Sequence, residues 1–368
     1  FCTTAIIGSL ATATVSAGFG APVCNNAALG NDVWYKVAVP ATGNVIIQTS
    51  AVNTTVNNLL LEAYSGSCGS LSFISCDDDG NPEPVPSANH ARIVLTGRTP
   101  GEQVYFRVMP ATTGNRGDFV ICAWDTTSTV LPPVSAGGSC VNTVYPVINT
   151  TSLNRYMWVP VFDSIGHIVA EIYAGGITLD TVKTSLYIHS GAVRNDNNEF
   201  ILDRNMTINP TATGTISATI RWYYKNSELT TLRAADSTVS GPANLHILKT
   251  SDLCTGAVPT SPNAITPTTG IYGNDHFLQF VTSSFSTFYA EGKCGPTITW
   301  TGAADTQWHN PANWGCGGVP WKYSSVVIPS GSPRYPVVMG STEVKSITIQ
   351  PGATVTVLTG VDLKVNGQ

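Results

Sequence analysis

The sequence predicts an almost entirely β protein, built as tandem β-sandwich domains followed by the start of a β-solenoid-like repeat. Its 368 residues include 34 Gly and 23 Pro, which favours short strands joined by tight turns over helices. Turn residues separate successive runs of strand-forming residues, as antiparallel sandwiches require. Charged residues make up 11% of the chain and hydrophobic residues 42%, so the chain can bury cores and is not of the disordered class.

The first domain is predicted at residues 1–126, where strand-forming runs recur at short spacing. A stretch rich in Pro, Gly and Ser follows at 127–138 and is predicted to be a linker. The strands expected in the first domain are 32–39, 44–49, 59–65, 70–76, 91–95, 103–109 and 117–124.

Several short motifs across this first third of the chain point to a known family. They are GNDVWY at 30–35, YSGSC at 64–68, CDDD at 76–79, LTG at 95–97, PGEQVY at 100–105 and GDF at 117–119. Together they resemble the bacterial pre-peptidase C-terminal type of domain, in the version found in large proteins exported by the type IX secretion system. The resemblance implies a jelly-roll-like sandwich and a location outside the cell or on the bacterial outer surface.

The second domain is predicted at residues 139–295, again with many strands and with one short helix at 226–235. The expected strands are 156–162, 167–173, 184–189, 200–203, 215–224, 245–249, 276–282 and 287–291. The motifs LDRN at 202–205, RWYY at 221–224, SEL at 227–229 and VTSSFSTFY at 281–289 resemble a β-sandwich module common in the same secreted proteins. That module implies a location rather than a chemistry.

The third segment, residues 296–368, begins with a Trp-rich stretch that contains TWTG at 299–302 and DTQWHNPANW at 305–314. Short strand-like runs of similar length follow, and each ends at Gly or Pro, as the coils of a β-solenoid do. The expected runs are 325–329, 344–350, 354–359 and 362–365. The segment resembles repeat-associated parts of type IX cargo and surface adhesins, and we expect the repeat to continue beyond Gln368 in the full protein.

The nine Cys residues include no C-x-x-C pair and no Cys/His cluster at metal-ligand spacing, so they favour disulfides and a compartment outside the cytoplasm. We expect Cys2 to be left over, with a partner upstream of the sequence. A Cys2–Cys24 bridge with a different odd cysteine is an alternative, because connectivity does not follow from sequence. The predicted pairs are Cys68–Cys76, Cys24–Cys122, Cys140–Cys254 and Cys294–Cys316.

Composition also excludes several classes of partner. The formal net charge is -5 and no Lys/Arg cluster is present, so nucleic acid is not expected as a partner. No run of apolar residues is long enough for a membrane-spanning helix. Phe1 is not an initiator Met, and we expect a processed chain or a fragment.

Catalytic motifs of the common hydrolase types are absent, and the six His have no mutual spacing that predicts a metal site or a triad. We therefore predict that this chain has no enzyme activity and contains no catalytic residue.

The acidic loop after Cys76 suggests a structural calcium site. Asp77, Asp79, Asn81 and Glu83 place oxygen ligands at alternate positions around Gly80, a pattern that Ca²⁺ accepts. Asp32 is a further candidate ligand if the fold brings it near. The alternative is a solvated hairpin turn, for which D-G and N-P are ordinary signals.

Two other sets of residues suggest surface features. Among the Trp residues of the third segment, Trp308 and Trp321 are predicted to be exposed for stacking on sugars, whereas Trp300 and Trp314 are assigned to the core. Four Asp-Ser/Thr triplets resemble the O-glycosylation motif of bacteria that use type IX secretion, which makes Thr126, Ser164, Thr181 and Ser237 candidate acceptors.

Taken together, these observations predict a secreted, non-catalytic cell-surface glycoprotein that serves as an adhesin or as stalk modules and contacts glycans or matrix. Its expected partners are the type IX secretion machinery and a surface ligand, and its only expected cofactor is Ca²⁺. The alternative is a non-catalytic accessory region of a large secreted hydrolase, either a peptidase or a glycan-degrading enzyme.

Overall fold

The computed structural model describes residues 5–25, 31–52, 56, 58–84, 87–112, 116–125, 139–149, 153–196, 199–236, 239–259, 262–292, 297–315, 317–322 and 324–367, and the description below concerns these residues. Their strands form three groups along the chain, at 6–124, 141–291 and 297–365. The all-β architecture predicted from the sequence is confirmed. The predicted linker at 127–138 lies outside the described residues.

The first group of strands forms a sandwich of two antiparallel four-stranded sheets, in the orders β1-β10-β3-β8 and β2-β9-β4-β5, with a separate β6-β7 hairpin. All seven strands predicted here are present, whereas β1, β6 and β7 were not predicted. The strands are β1 (Ile6–Ser9), β2 (Val33–Ala38), β3 (Val45–Ala51), β4 (Leu59–Ser67), β5 (Ser70–Asp77), β6 (Asn81–Pro84), β7 (Ser87–His90), β8 (Arg92–Leu95), β9 (Gln103–Pro110) and β10 (Asp118–Trp124).

Strand β3 is buried along its whole length, although its sheet has an outer face. Successive side chains of a strand point to opposite faces. Val45 and Ile47 pack in the core between the two sheets, whereas Ile46 packs with Val120 and Trp124 in a second cluster that includes residues of the next domain. The outer face of this sheet is therefore covered by the second domain.

The second group of strands forms a larger sandwich. One sheet has the order β13-β14-β18-β22-β21, and the other has the order β11-β15-β17-β23-β19-β20 with β12 and β16 attached. The strands are β11 (Val141–Asn142), β12 (Val147–Ile148), β13 (Trp158–Phe162), β14 (Ile168–Tyr173), β15 (Asp180–Ile188), β16 (Arg194–Asp196), β17 (Glu199–Pro210), β18 (Ala218–Tyr224), β19 (His246–Thr250), β20 (Asn263–Ile265), β21 (Thr268–Tyr272), β22 (Asp275–Thr282) and β23 (Thr287–Glu291).

The predicted helix is confirmed as α1 (Asn226–Ala235). Leu229 and Leu232 are buried in the core of the second sandwich. Glu228 accepts the backbone N–H of Lys225 at 2.7 Å, which satisfies one of the unpaired donors at the helix start. The same carboxylate accepts Arg204 Nε at 2.9 Å, so the helix is anchored to β17 by charge as well as by apolar packing.

The third group of strands forms parallel ladders in the orders β24-β25-β28, β26-β29 and β27-β30. Ser325 pairs with Ser346, 21 residues along the chain, and Thr342 pairs with Leu363 at the same interval. The interval is 28 residues between Thr297 and Ser325 and 19 residues between Val337 and Thr356. Parallel ladders stacked in this way are the arrangement of a β-solenoid. The strands are β24 (Thr297–Thr299), β25 (Ser325–Ile328), β26 (Val337–Val338), β27 (Thr342–Val344), β28 (Ser346–Ile349), β29 (Thr356–Val357) and β30 (Leu363–Val365).

The predicted disulfides are partly wrong. Cys140–Cys254 is present as predicted, but Cys76 pairs with Cys24 and Cys68 is an exposed free thiol. Cys68 lies in the turn between β4 and β5, where Ser67 pairs with Ser70. Cys76 lies near the other end of β5, so a Cys68–Cys76 bridge would have to cover roughly 20 Å of extended strand, whereas disulfide Cα atoms lie within about 7 Å.

Cys122 also forms a disulfide, but not with Cys24, so the predicted Cys24–Cys122 pair is wrong. Cys122 is in β10 and belongs to the cluster that faces the second domain, whereas Cys76, the partner of Cys24, is in the opposite sheet. The same pairing excludes the alternative Cys2–Cys24 bridge. Cys2, Cys294 and Cys316 lie outside the described residues.

Candidate functional site

A cluster of buried charges lies between the first and second sandwiches. Arg92 comes from β8, and Glu171 and Arg221 come from neighbouring strands β14 and β18. Arg92 binds Glu171 through both terminal nitrogens, at 3.0 and 2.7 Å, and Arg221 Nη1 lies 3.4 Å from the same carboxylate. Tyr223 donates its hydroxyl to Glu171 Oε2 at 2.7 Å. One carboxylate therefore binds two guanidinium groups and a phenol across the domain boundary.

Burial and neighbouring charges shift the pKa of Glu171 in opposite directions. Burial by itself would raise the pKa of Glu171, but the neighbouring charges of Arg92 and Arg221 outweigh it and hold the pKa below its ordinary value. Burial lowers the pKa of Arg221, whose guanidinium also lies 3.8 Å from the ring centroid of Trp158. The hydroxyl of Tyr223 has its pKa raised by burial and then by Glu171. The cluster is thus ionised as one Glu⁻ between two Arg⁺.

Apolar contacts and a further hydrogen bond complete this interface. Trp124, Met157 and Phe162 share one buried cluster across the two sandwiches. Gln48 in β3 donates through Nε2 to the backbone oxygen of Trp158 at 3.0 Å. The two sandwiches are therefore joined by apolar packing, a neutral hydrogen bond and the charge cluster.

A cleft of about 770 Å³ opens beside this cluster. Its walls include β8 of the first sandwich and β21 of the second, each of which is the edge strand of its sheet. Arg92, Arg221 and Tyr223 line the cleft together with Phe277 and Gln279 of β22. Clefts of this size at domain interfaces are common ligand sites, so this cleft is the candidate site.

Aromatic and amide groups shape the second-sandwich side of the cleft. The Phe277 ring lies directly against Gly270, the residue paired with it in β21, and a Cβ atom at that glycine would overlap the ring. The ring also packs edge-on against Tyr223, with centroids 5.7 Å apart. Gln279 Oε1 accepts Arg221 Nε at 2.8 Å. Each of these side chains is therefore held in place by a neighbour on the same sheet.

A second buried charge cluster lies under the N-terminal segment of the first sandwich. Arg107 binds Asp32 at 2.6 Å and Glu62 at 3.2 Å, and Tyr64 donates to Glu62 at 2.7 Å. The Arg107 guanidinium also lies 5.5 Å from the ring centroid of Phe19. Asp32 therefore forms a buried ion pair with Arg107, which argues against its suggested role as a calcium ligand.

The acidic loop binds protein groups through several of the predicted calcium ligands. Asp77 Oδ2 accepts the backbone N–H groups of Gly80 and Arg92, each at 2.8 Å. Asn81 is fully buried and donates to the Thr49 backbone oxygen at 3.2 Å. Asp79 is exposed. The side chain of Glu83 lies outside the described part of the chain, and calcium binding by Asp77, Asp79, Asn81 and Glu83 stays a prediction.

The expectation of exposed indole rings is wrong for both Trp308 and Trp321. Trp308 is fully buried and Trp321 is 8% exposed. Trp308 packs edge-on against Trp314, which packs in the same way against Trp300, with centroids 4.8 and 4.9 Å apart. Trp321 packs with Tyr289 on the outer face of the second sandwich. These rings therefore serve the solenoid core and its contact with the second sandwich.

A buried asparagine organises the Trp-rich turn. Asn313 accepts the backbone N–H groups of Ala304 and Asp305 at 2.9 Å each. It donates to the Asp305 carboxylate at 2.6 Å and to the Gln307 backbone oxygen at 3.0 Å. The bond from Asn310, followed by those from the Gln307 N–H and Asn313, lowers the pKa of Asp305. The DTQWHNPANW motif is therefore a structural turn.

The candidate glycosylation residues differ in exposure. Ser164 is exposed in the turn between β13 and β14, whereas Thr181 is partly buried within β15. Thr126 and Ser237 lie outside the described residues. Glycosylation at these four positions stays a prediction.

The residues of the candidate cleft were not predicted from the sequence. The signal that marks them is a charged residue inside an otherwise apolar strand, as with Arg92 in RIVL, Glu171 in IVAEIY and Arg221 in ATIRWYY. In a chain with only 11% charged residues, such a position indicates a buried partner of opposite charge.

Comparison with protein families finds a similarity in the third segment. A family described as a domain of unknown function (DUF8693) matches residues 299–368, which includes the Trp-rich turn and most of the solenoid strands. No curated protein matches the chain. In the residues that the structure describes, no three His, Cys, Asp or Glu side chains are grouped to hold a metal ion. No helix there has the length and apolar character needed to cross a membrane.

Proposed function

We propose that this protein is a secreted, non-catalytic surface protein that acts as an adhesin or as part of a stalk. The observation that carries the proposal is the interface between the two sandwiches, where Glu171 binds Arg92 and Arg221. Domain interfaces within a chain are usually polar and permit relative motion. Moving these domains apart would break the ion pair between Arg92 and Glu171 and expose the apolar cluster that includes Trp124, Met157 and Phe162 to water. The two sandwiches therefore act as one rigid body, as a spacer that presents a binding surface requires.

The disulfides support the compartment in this proposal. Cys24–Cys76 and Cys140–Cys254 are of the kind that forms and persists in oxidising surroundings outside the cytoplasm. We propose the outer surface of a bacterium as the final location, with export by the type IX secretion machinery. The motifs at 30–35, 64–68 and 76–79 support this location and this export route.

The first experiment tests adhesion and location together. Antibodies against the purified chain are expected to label intact cells of the source bacterium, and beads coated with the chain are expected to adhere to cells or matrix. Deleting a core component of the type IX machinery should leave the protein inside the cell. Absence of labelling on intact cells, with the protein found in the cytoplasm, would contradict the proposal.

A second experiment tests the absence of catalysis. The purified chain is expected to release no product from peptide or polysaccharide substrates. An activity that a single substitution abolishes would overturn the non-catalytic assignment. A catalytic domain elsewhere in the same reading frame would instead favour the alternative of an accessory region of a secreted hydrolase.

A further inference from the structure

We propose that the cleft between the two sandwiches binds a neutral saccharide. This inference rests on the proposed function, because it names the ligand class that the rigid two-domain body would present or hold. It also replaces the predicted stacking residues, since Trp308 and Trp321 are buried elsewhere. The ligand would lie between edge strands β8 and β21.

Charge balance favours a neutral ligand. Arg92 and Arg221 line the cleft, but Glu171 binds both of them. Asp275 also lines the cleft and accepts the backbone N–H of Asn226 at 2.9 Å. The formal charges of Arg92, Arg221, Glu171 and Asp275 thus sum to zero. An anionic ligand would meet guanidinium groups that Glu171 already binds, and the balanced formal charge around the cleft gives no net attraction for a ligand of either sign.

The groups that line the cleft suit the two kinds of surface on a sugar. The C–H faces of a pyranose ring pack on aromatic rings, and its hydroxyl groups bind amides, hydroxyls and guanidinium groups. Phe277 supplies the ring, which contacts Gly270 and Tyr223 and has the Arg221 guanidinium 5.4 Å from its centroid. Gln279 supplies an amide whose oxygen accepts Arg221, so its NH₂ group is the donor left for a ligand. The remaining polar lining residues include Thr96, Thr268 and Asn274.

The cleft lies between two sandwiches that are packed against each other, so its binding groups are held in place before a ligand binds. Its first-sandwich wall includes Val94 and Thr96, and its second-sandwich wall includes Phe277 and Gln279. The charge cluster fixes the two walls relative to each other. A rigid cleft does not have to be ordered when it binds, which lowers the cost of binding.

The test measures binding of oligosaccharides to the full chain by calorimetry. The probes are neutral malto-, cello-, xylo- and manno-oligosaccharides, with oligogalacturonates as the acidic arm. We expect binding by at least one neutral series, with an affinity that does not change with salt. Phe277→Ala should weaken this binding by about tenfold, since ring stacking is worth up to roughly that factor. Phe73→Ala is the control, because Phe73 is a partly exposed ring in β5, outside the cleft.

A second pair of variants keeps the test valid if Phe277→Ala disturbs folding. Val94 is 45% exposed at the cleft wall, and Val147 is 47% exposed outside it. Val94→Trp should fill the cleft and abolish binding, whereas Val147→Trp should leave binding unchanged.

Several outcomes would overturn the inference. Salt-sensitive binding of oligogalacturonates alone would make the cleft an anion site. Binding of an extended peptide that Val94→Trp blocks, without saccharide binding, would assign the cleft to peptide addition on edge strands. If the chain adheres to cells but binds no neutral probe, the saccharide inference is wrong and the proposed function stands. If it neither adheres nor binds, both lose their support.

Discussion

At the scale of single residues, His90 in β7 couples stability to pH. The side chain is fully buried, and burial lowers its pKa to about 4 from the ordinary 6.5. The unfolded chain therefore binds a proton at a higher pH than the folded chain does. The folded state therefore gains stability from neutral His90. This contribution to the free energy of unfolding is fully present above pH 6.5 and is lost as the pH falls towards 4.

We expect wild-type protein to lose about 2 kcal/mol of stability between pH 7 and pH 5 through this residue. His90→Phe should remove that part of the pH dependence, whereas the same change at exposed His309 should not. Urea denaturation at the two pH values measures the difference. Equal pH dependence in the wild type and in His90→Phe would contradict a neutral buried His90.

Glu171 is the residue on which the interface between the sandwiches depends. Glu171→Gln leaves Arg92 and Arg221 buried without a counter-charge, which we expect to cost about 3 to 5 kcal/mol. Glu343→Gln is the control, because its ion pair with Lys364 is exposed and solvent screening leaves such pairs little effect on stability. Chemical denaturation gives both values. A loss for Glu171→Gln no larger than that for Glu343→Gln would show that the charge cluster does not join the domains.

At the scale of elements, the Trp-rich turn depends on Asn313. Its side chain makes four hydrogen bonds, and its removal leaves buried backbone groups unpaired. We expect Asn313→Ala to destabilise the solenoid by about 2 to 4 kcal/mol. Asn142→Ala, at an exposed position in β11, should be nearly neutral. The emission spectrum of the buried Trp residues follows the unfolding, and equal midpoints for the two variants would refute a structural role for the turn.

Strands and helices were predicted correctly where a run of residues was long enough to show a hydrophobic pattern in its own sequence. The strands β3, β4 and β9 are long and rich in apolar residues, and α1 begins and ends where the sequence indicated. The missed strands have two to five residues each, such as β26 and β27 in the solenoid and β21 in the second sandwich. Strands this short carry no alternation, because their stability comes from the coils beside them.

At the scale of the whole molecule, the packing of the sandwiches against each other was not predicted. The Pro- and Gly-rich stretch at 127–138 suggested separate modules. Two features of the sequence indicated instead that the sandwiches pack together: apolar residues on both faces of β3, and charged residues within apolar strands. Partners such as Arg92 and Glu171 are 79 positions apart in sequence, so no local pattern connects them. The same limit applies to disulfide pairing: of the predicted pairs that the structure describes, Cys140–Cys254 was correct, and Cys294–Cys316 stays a prediction.

The Cys140–Cys254 disulfide closes a loop across the second sandwich, with a sequence separation of 114. Replacing both residues with Ser should lower the free energy of unfolding by about 2 to 5 kcal/mol. Cys68→Ser should have almost no effect, because Cys68 is an exposed free thiol. Thermal melting compares the variants. Equal melting temperatures for the wild type and the double variant would contradict this role.

The parallel register of the solenoid allows insertions or deletions of whole coils. Ser325 pairs with Thr297 on one side and with Ser346 on the other. Deleting residues 325–345 would bring Ser346 directly after Ser324 and place β28 beside β24 in the same phase. One gene segment thus corresponds to one coil and to about 4.8 Å of height. Insertions and deletions of this size change the reach of the protein in whole steps, and the two sandwiches are left as they are.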